Sequence, residues 1–165
     1  IPVVGLEPSC ILSFRDELPS LIKSKEALLL SQNSFTFEEL LIKKTPNFNF
    51  KAYNNKVLLH GHCHQKAFDA VNPIVEILNK VPKIQLENIE TSCCGMAGSF
   101  GYNKETYEVS IKMAMAKLIP SILKYKNPTV IADGTSCRAQ IKDQSSIKAI
   151  HIANFLEPLI IEKHN

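Results

Sequence analysis

Short β-branched runs alternate with stretches whose apolar residues recur every three or four positions, and this alternation sets the expected elements. PVVGL (2–6) reads as a first strand. In ILSFRDELPSLI, residues Ile11, Phe14, Leu18 and Leu21 share one helical face, and Pro19 breaks or kinks that helix. Two further helical pieces fit residues 25–32 and 36–43, and TPNFNFKAYNN reads as a loop. KVLLH (56–60) is a second strand, followed by a helix built on Val71, Val75 and Leu78. IQLENIE (84–90) is a third strand. The longest helix comes next, capped by Asn103, with Ile111, Met115, Leu118 and Ile122 as its buried stripe and Pro120 as a bend. TVIAD (129–133) is a fourth strand, SCRAQIK a short helix, KAIHI (148–152) a fifth strand and 153–162 a closing helix.

Strands separated by helices need crossover connections, which imply parallel pairing. The expected fold class is therefore α/β: Rossmann-like, a mostly parallel sheet of about five strands with helices on both faces. No G-x-G-x-x-G follows the first strand, so a dinucleotide site of that kind is not supported. At 165 residues the chain is one ordinary domain with room for a hydrophobic core. A net charge of +3 spread over scattered lysines argues against a nucleic-acid partner. No apolar run approaches the ~18 residues of a membrane span. The opening IPVVGL lacks an initiator Met and a basic stretch before its apolar residues, so it is not a signal peptide. It begins inside what reads as a buried strand, and the chain is expected to be a piece of something longer.

The five cysteines change the picture most. Their odd number argues against a complete secreted disulfide framework and favours intracellular metal or redox use. Cys10 lies four residues beyond the first strand, Cys63 three beyond the second, Cys93 and Cys94 follow the third, and Cys137 follows the fourth. In a parallel sheet those positions share the carboxyl edge, where open α/β proteins build their sites. Neighbouring thiols such as Cys93 and Cys94 rarely bond to each other, because the linking peptide would be strained. Thiolates are soft ligands that suit iron–sulfur clusters or zinc. Zinc favours closely spaced pairs such as C-x2-C, which are absent here. Adjacent cysteines serve one tetrahedral ion badly but can reach two metal atoms of a cluster, which favours a polynuclear site. A structural zinc site and metal-free thiol exchange stay open as alternatives.

The surroundings are consistent with bulky inorganic cargo. Gly95, Gly98 and Gly101 allow positive φ and close backbone approach, and their N–H groups can donate to sulfide. HGHCHQK places His60, His62 and His64 around Cys63, where imidazole could ligate, donate a hydrogen bond or carry a proton. Arg15, Lys66 and Arg138 each lie a turn or less from a cysteine and could balance charge. The methionines of the long helix are read as core filler.

GLEPSC…FRDE, HGHCHQKA, SCCGMAGSFGY and ADGTSCRAQI together resemble the cysteine-rich CCG domains of heterodisulfide reductase, the glycolate oxidase iron–sulfur subunit and the anaerobic glycerol-3-phosphate dehydrogenase. The similarity is strongest to the carboxyl-terminal part of large FAD-linked, iron–sulfur D-2-hydroxyacid dehydrogenases of the D-lactate type, and it spans residues 3 to about 141. In that pattern Cys63 matches the first cysteine, Cys93 and Cys94 the pair, and Cys137 the last of C-x-x-C. GLEPSC looks like the end of a preceding repeat, with Cys10 as its final cysteine. Gly134 and Glu7 stand where the pattern has the first cysteine of each C-x-x-C. Cys10 is therefore expected to join the other four cysteines as a metal ligand, with Glu7 supplying a carboxylate or starting a helix.

The resemblance implies an iron–sulfur cluster, of the 4Fe–4S type, with Gly95, Gly98, His62, His64 and Arg138 beside it. It implies residues 1–50 as the end of one CCG repeat plus a connection, and 51–165 as a CCG domain, packed as one unit. The expected role is electron relay from a flavin domain outside this chain to a downstream acceptor, with zinc as the alternative metal. Nothing here resembles an FAD-binding segment, so the piece alone is not expected to oxidise a hydroxyacid. The expected location is cytoplasmic, with peripheral attachment at the inner face of the membrane as a variant.

Overall fold

Val57, Leu58 and Leu59 are consecutive and fully buried, a pattern that a strand shows only when both of its faces are covered. The computed structural model, which describes residues 1–44 and 49–161, supplies that cover. In chain order the elements are β1 (Val3–Gly5), α1 (Pro8–Ser13), α2 (Glu17–Leu21), α3 (Lys25–Gln32), β2 (Ser34–Thr36), α4 (Phe37–Lys44), β3 (Lys56–Leu59) and α5 (Cys63–Ala67). They continue with α6 (Asn72–Asn79), β4 (Gln85–Asn88), α7 (Tyr107–Ala116), α8 (Leu118–Leu123), β5 (Thr129–Ile131), α9 (Thr135–Ser145), α10 (Ile152–Leu156) and a 3-10 turn, Glu157–Leu159.

Among the described residues the main sheet has three parallel strands in the order β4-β3-β5. Strand periodicity of two divides the core between its faces. Leu58, Val130 and Ala132 meet Leu118, Ile119 and Ile122 of α8 and Ile141 of α9. Val57, Leu59 and Ile131 meet Ile74, Ile77 and Leu78 of α6 and Phe155 and Leu156 of α10. The expected α/β class, with parallel strands and helices on both faces, holds.

The strand count differs from the expected five-stranded sheet. β1 pairs in parallel with β2, in register Val3↔Ser34 to Gly5↔Thr36, as a separate two-stranded sheet. Ser34–Thr36 is too short for its periodicity to register between two helical patterns. Residues 148–152 contribute one parallel bridge, Ile131↔Ile150, in place of a fifth strand. The cause is His151, whose Nδ1 accepts from Ala153 N at 3.0 Å and so caps α10, turning the chain out of the sheet.

The expected long helix is two helices. Pro120 lacks an N–H and would collide with the carbonyl four residues back. The helix is interrupted at Lys117, so Pro120 falls in the first turn of α8, where its ring is tolerated. Asn103 lies before the helix, accepting at its carbonyl from Thr106 N and Tyr107 N, and Thr106 occupies the N-cap. The inward face of α7 carries Ser110 and Ala114, while Met113 and Met115 are exposed and Ile111 is half-buried. Small residues face inward because the loop after β4 presses against this helix: a Cβ added to Gly95 would lie 2.3 Å from Ser110 O.

Pro19 likewise divides the first helical stretch into α1 and α2, leaving Leu21 exposed. The helix on Val71, Val75 and Leu78 buries Ile74, Ile77 and Leu78 most deeply. The loop expected at 45–55 lies partly outside the described residues; from 49 onward it bears only the bridge Phe50↔Ile160. Residue 162 of the closing helix also lies outside them.

Polar contacts join the first segment to the main sheet. Glu7 Oε2 accepts from both Thr135 N and Thr135 Oγ1 at 2.8 Å. His151 Nε2 lies 2.9 Å from Leu6 O. Buried Glu38 interacts electrostatically with buried Asp133.

Candidate metal centre

Each main-sheet strand delivers a cysteine just past its carboxyl end. β3 runs into His60-Gly61-His62, and His62 caps α5: its Nδ1 accepts from His64 N at 3.2 Å, while its own N–H donates to Gln65 Oε1 at 3.0 Å. That cap places Cys63 in the first turn of α5. The loop after β4 carries Cys93 and Cys94, and α9 after β5 carries Cys137. Gln65 Nε2 donates to Asp133 Oδ2 at 2.9 Å, tying the α5 and β5 corners together.

The four thiols converge. Side-chain interactions link Cys63 to Cys93, Cys93 to Cys94, and Cys94 to Cys137. A cavity of about 330 Å³ is lined by Cys63, Cys93, Cys94 and Cys137 together with His62, His64, Ser9, Ser136, Ala97 and Gly98. Gly98 adopts φ +61, and a Cβ there would meet nothing within 4 Å. Gly95, at φ +89, serves close approach to α7, and its N–H donates to Cys93 Sγ at 3.3 Å.

The electrostatics are those of thiols that crowd one another. The hydrogen bond with Cys94, and then burial, push the Cys93 thiol far up. Its interaction with Cys137 helps push Cys94 up to about 11. Burial and then Cys93 raise Cys63. Lys66 is the nearby cation. Burial lowers its pKa, opposed by the four cysteines, and its Nζ donates to Thr91 O at 2.6 Å and Ser92 O at 2.9 Å, holding the loop that precedes the cysteine pair.

Sequence reasoning leaves His60 without a definite role. It is fully buried at the end of β3, and burial, with Lys66 and His62, pushes its pKa down to about 3. A ring nitrogen of His60 and the Sγ atoms of Cys94 and Cys137 lie within 4.8 Å of one another, a grouping able to hold a metal ion. Its position, two residues from His62 on an alternating strand, is the signal that the sequence offers.

Other residues singled out by sequence sit elsewhere. Cys10 is exposed on α1; its neighbour Ser9 lines the cavity. Arg138 directs its guanidinium to Ala132 O, Asp133 O and Thr135 Oγ1. Arg15 pairs with Glu39 and donates to Ser34 O, locking α1 to β2 and α4. Glu7 is half-buried; burial works to raise its pKa, but the Thr135 hydrogen bonds hold it below the usual carboxylate value.

The donor set fits an iron–sulfur group better than a lone ion. The cavity has about ten times the ~30 Å³ that one water occupies in the liquid. Buried His60 Nε2 has no hydrogen-bond partner, and a group filling the cavity would supply one.

No family model matches the chain, and no solved structure matches it. Among characterised proteins it is similar to one subunit of the anaerobic glycerol-3-phosphate dehydrogenase of Escherichia coli, 27% identical over 153 residues, covering 92% of this chain and 38% of that one. It is similar to the D-2-hydroxyglutarate dehydrogenase of Haemophilus influenzae, 30% identical over 172 residues (92% and 15%). The enzyme of the same name from Pantoea ananatis is 26% identical over 145 residues (86% and 14%). The chain thus spans well under half of each relative. The resemblance read from the cysteine motifs holds: over nearly its whole length this chain is related to a part of the anaerobic glycerol-3-phosphate dehydrogenase and of D-2-hydroxyglutarate dehydrogenases.

Proposed function

We propose that this chain is an iron–sulfur electron-transfer module of an FAD-linked 2-hydroxyacid oxidoreductase, holding a 4Fe–4S cluster on Cys63, Cys93, Cys94 and Cys137. The observation that carries the reading is the convergence of these four thiols, from three strand ends, around one cavity of about 330 Å³. When bound, the cluster supplies one-electron acceptor and donor chemistry. The protein's part is to fix four thiolates, exclude bulk water from Cys94 and Cys137, and set the local charge through Lys66. Residues 51–165 form one CCG domain in this reading, and 1–50 are the end of a preceding repeat. The partners are a flavin domain of the parent protein and a downstream acceptor. The location in this reading is cytoplasmic, with peripheral attachment at the inner membrane face. No helix among the described residues is long and apolar enough to cross a membrane.

Metal-free thiol exchange is disfavoured by the raised pKa values of Cys93 and Cys94, because the thiolate is the attacking species. Metal resolves the same crowding by taking the place of the thiol protons. The test is anaerobic purification with iron and acid-labile sulfide analysis and an absorption spectrum. The expected outcome is brown protein with about four irons and four sulfides per chain, absorbing broadly near ~400 nm. Colourless protein with one zinc per chain would replace this reading with a structural zinc site.

A further inference from the structure

His60 and His62 flank Gly61, and each ring has one nitrogen already engaged. His60 Nδ1 lies 3.0 Å from Thr91 Oγ1. That hydroxyl accepts from Lys66 Nζ at 3.3 Å, and an ammonium can only donate. The Thr91 hydroxyl proton is therefore available, and His60 Nδ1 is the acceptor within reach. This places the ring proton of His60 on Nε2, the nitrogen that is buried without a partner.

His62 is fixed by a different bond to the same result. The backbone N–H of His64 donates to its Nδ1, so the proton of a neutral ring sits on Nε2. The location of that nitrogen is informative. A Cβ added to Gly134 would lie 2.4 Å from His62 Cδ2 and 3.2 Å from Nε2, and 3.3 Å from Cys137 Sγ. The imidazole therefore fills the space that a side chain at 134 would enter, beside Cys137.

An imidazole binds metal through an unprotonated nitrogen. Both rings have spent that lone pair, His60 on Thr91 and His62 on the α5 cap. We infer that His60 and His62 meet the cluster as N–H donors and not as ligands, so that four thiolates alone hold it. This rests on the iron–sulfur reading above. Donation to cluster or cysteinyl sulfur stabilises the more negative, reduced state and raises the reduction potential.

The experiment uses anaerobically reconstituted protein whose iron and sulfide are counted first; absence of both overturns the iron–sulfur reading itself. On the reduced cluster, pulsed EPR should find only weak nitrogen couplings. A strong coupling of a directly bound imidazole, lost in His60→Gln or His62→Asn, overturns the inference while leaving the cluster assignment standing. Potentiometry gives the second readout. His60→Leu should keep its iron and favour oxidation about tenfold, ~59 mV for a one-electron couple. His60→Gln, which can donate from a similar position, should recover most of that shift. His62→Asn keeps a good N-cap but loses the Nε2 donor, and its potential should also fall. Full iron content with unchanged potentials in His60→Leu and His62→Asn would refute the donor role. If His60→Leu does not fold, the wild-type nitrogen couplings and His62→Asn decide the question.

Discussion

Gly95→Ala tests whether the cysteine pair is presented by a loop pressed against α7. Gly95 has φ +89, and its added Cβ would stand 2.3 Å from Ser110 O and 3.1 Å from the Met113 Cβ. The left-handed backbone costs a non-glycine residue about 1–2 kcal/mol. The overlap is with a backbone carbonyl, which has no rotamer to escape into, and such overpacking costs about 1–3 kcal/mol. Alanine recovers about 0.4–1 kcal/mol by stiffening the unfolded chain. The net loss is about 2–4 kcal/mol, a fall in Tm of roughly 4–16 °C for a domain of this size. Gly98→Ala is the control three residues away. It has φ +61 but open space where the Cβ would go, so only the backbone cost remains, less the same gain: at most about 1 kcal/mol. Thermal and urea unfolding of the metal-free proteins, under reducing conditions, compares the two. Equal losses, or a larger loss for Gly98→Ala, would show that the loop does not lie against α7 as described.

Cys94→Ser should abolish iron retention, whereas Cys10→Ser should leave iron and sulfide unchanged, because Cys10 is exposed on α1 and does not line the cavity. Metal analysis of both variants checks this, and loss of iron in Cys10→Ser would restore the fifth thiolate to the ligand set. Glu38 offers a pH test: burial and then Asp133 push its carboxyl from 4.5 up to about 8. The folded state keeps a proton that the unfolded chain releases, so stability should fall as pH rises from about 4.5 to about 8. Glu38→Gln should flatten that fall and add on the order of 3 kcal/mol at pH 8; an unchanged pH profile by urea unfolding would count against the buried Glu38–Asp133 pair.

Sequence patterns reveal what repeats and miss what depends on contact. Val57–Leu59 and Thr129–Ile131 are apolar on both faces, so the sheet and the strand ends beyond it are legible, and with them the gathering of Cys63, Cys93, Cys94 and Cys137. The inward face of α7 escapes any search for large apolar residues. Ser110 and Ala114 face inward only because a glycine loop lies so close. KAIHI has strand composition, but the capping bond of His151 ends it after one bridge. The Thr91–His60–Lys66 arrangement joins residues 31 and 25 positions apart, and no spacing rule finds it.

The strand order explains why two cysteines stand side by side. β3 lies between β4 and β5, so the loop leaving β4 must pass the end of β3 to approach the end of β5. Along that path the first thiol meets Cys63, beyond β3, and the second meets Cys137, beyond β5. Successive residues of a non-helical chain direct their side chains to different sides, so adjacency lets one loop address both neighbours without a turn between them. One tetrahedral ion would be served poorly by such a pair, whereas a group with several metal atoms can take each thiolate at a separate corner. Burial follows the same division, with Cys93 half-exposed toward the cavity mouth and Cys94 buried beside His60 and Cys137. The doubled cysteine is therefore the consequence of a central strand that one loop has to cross.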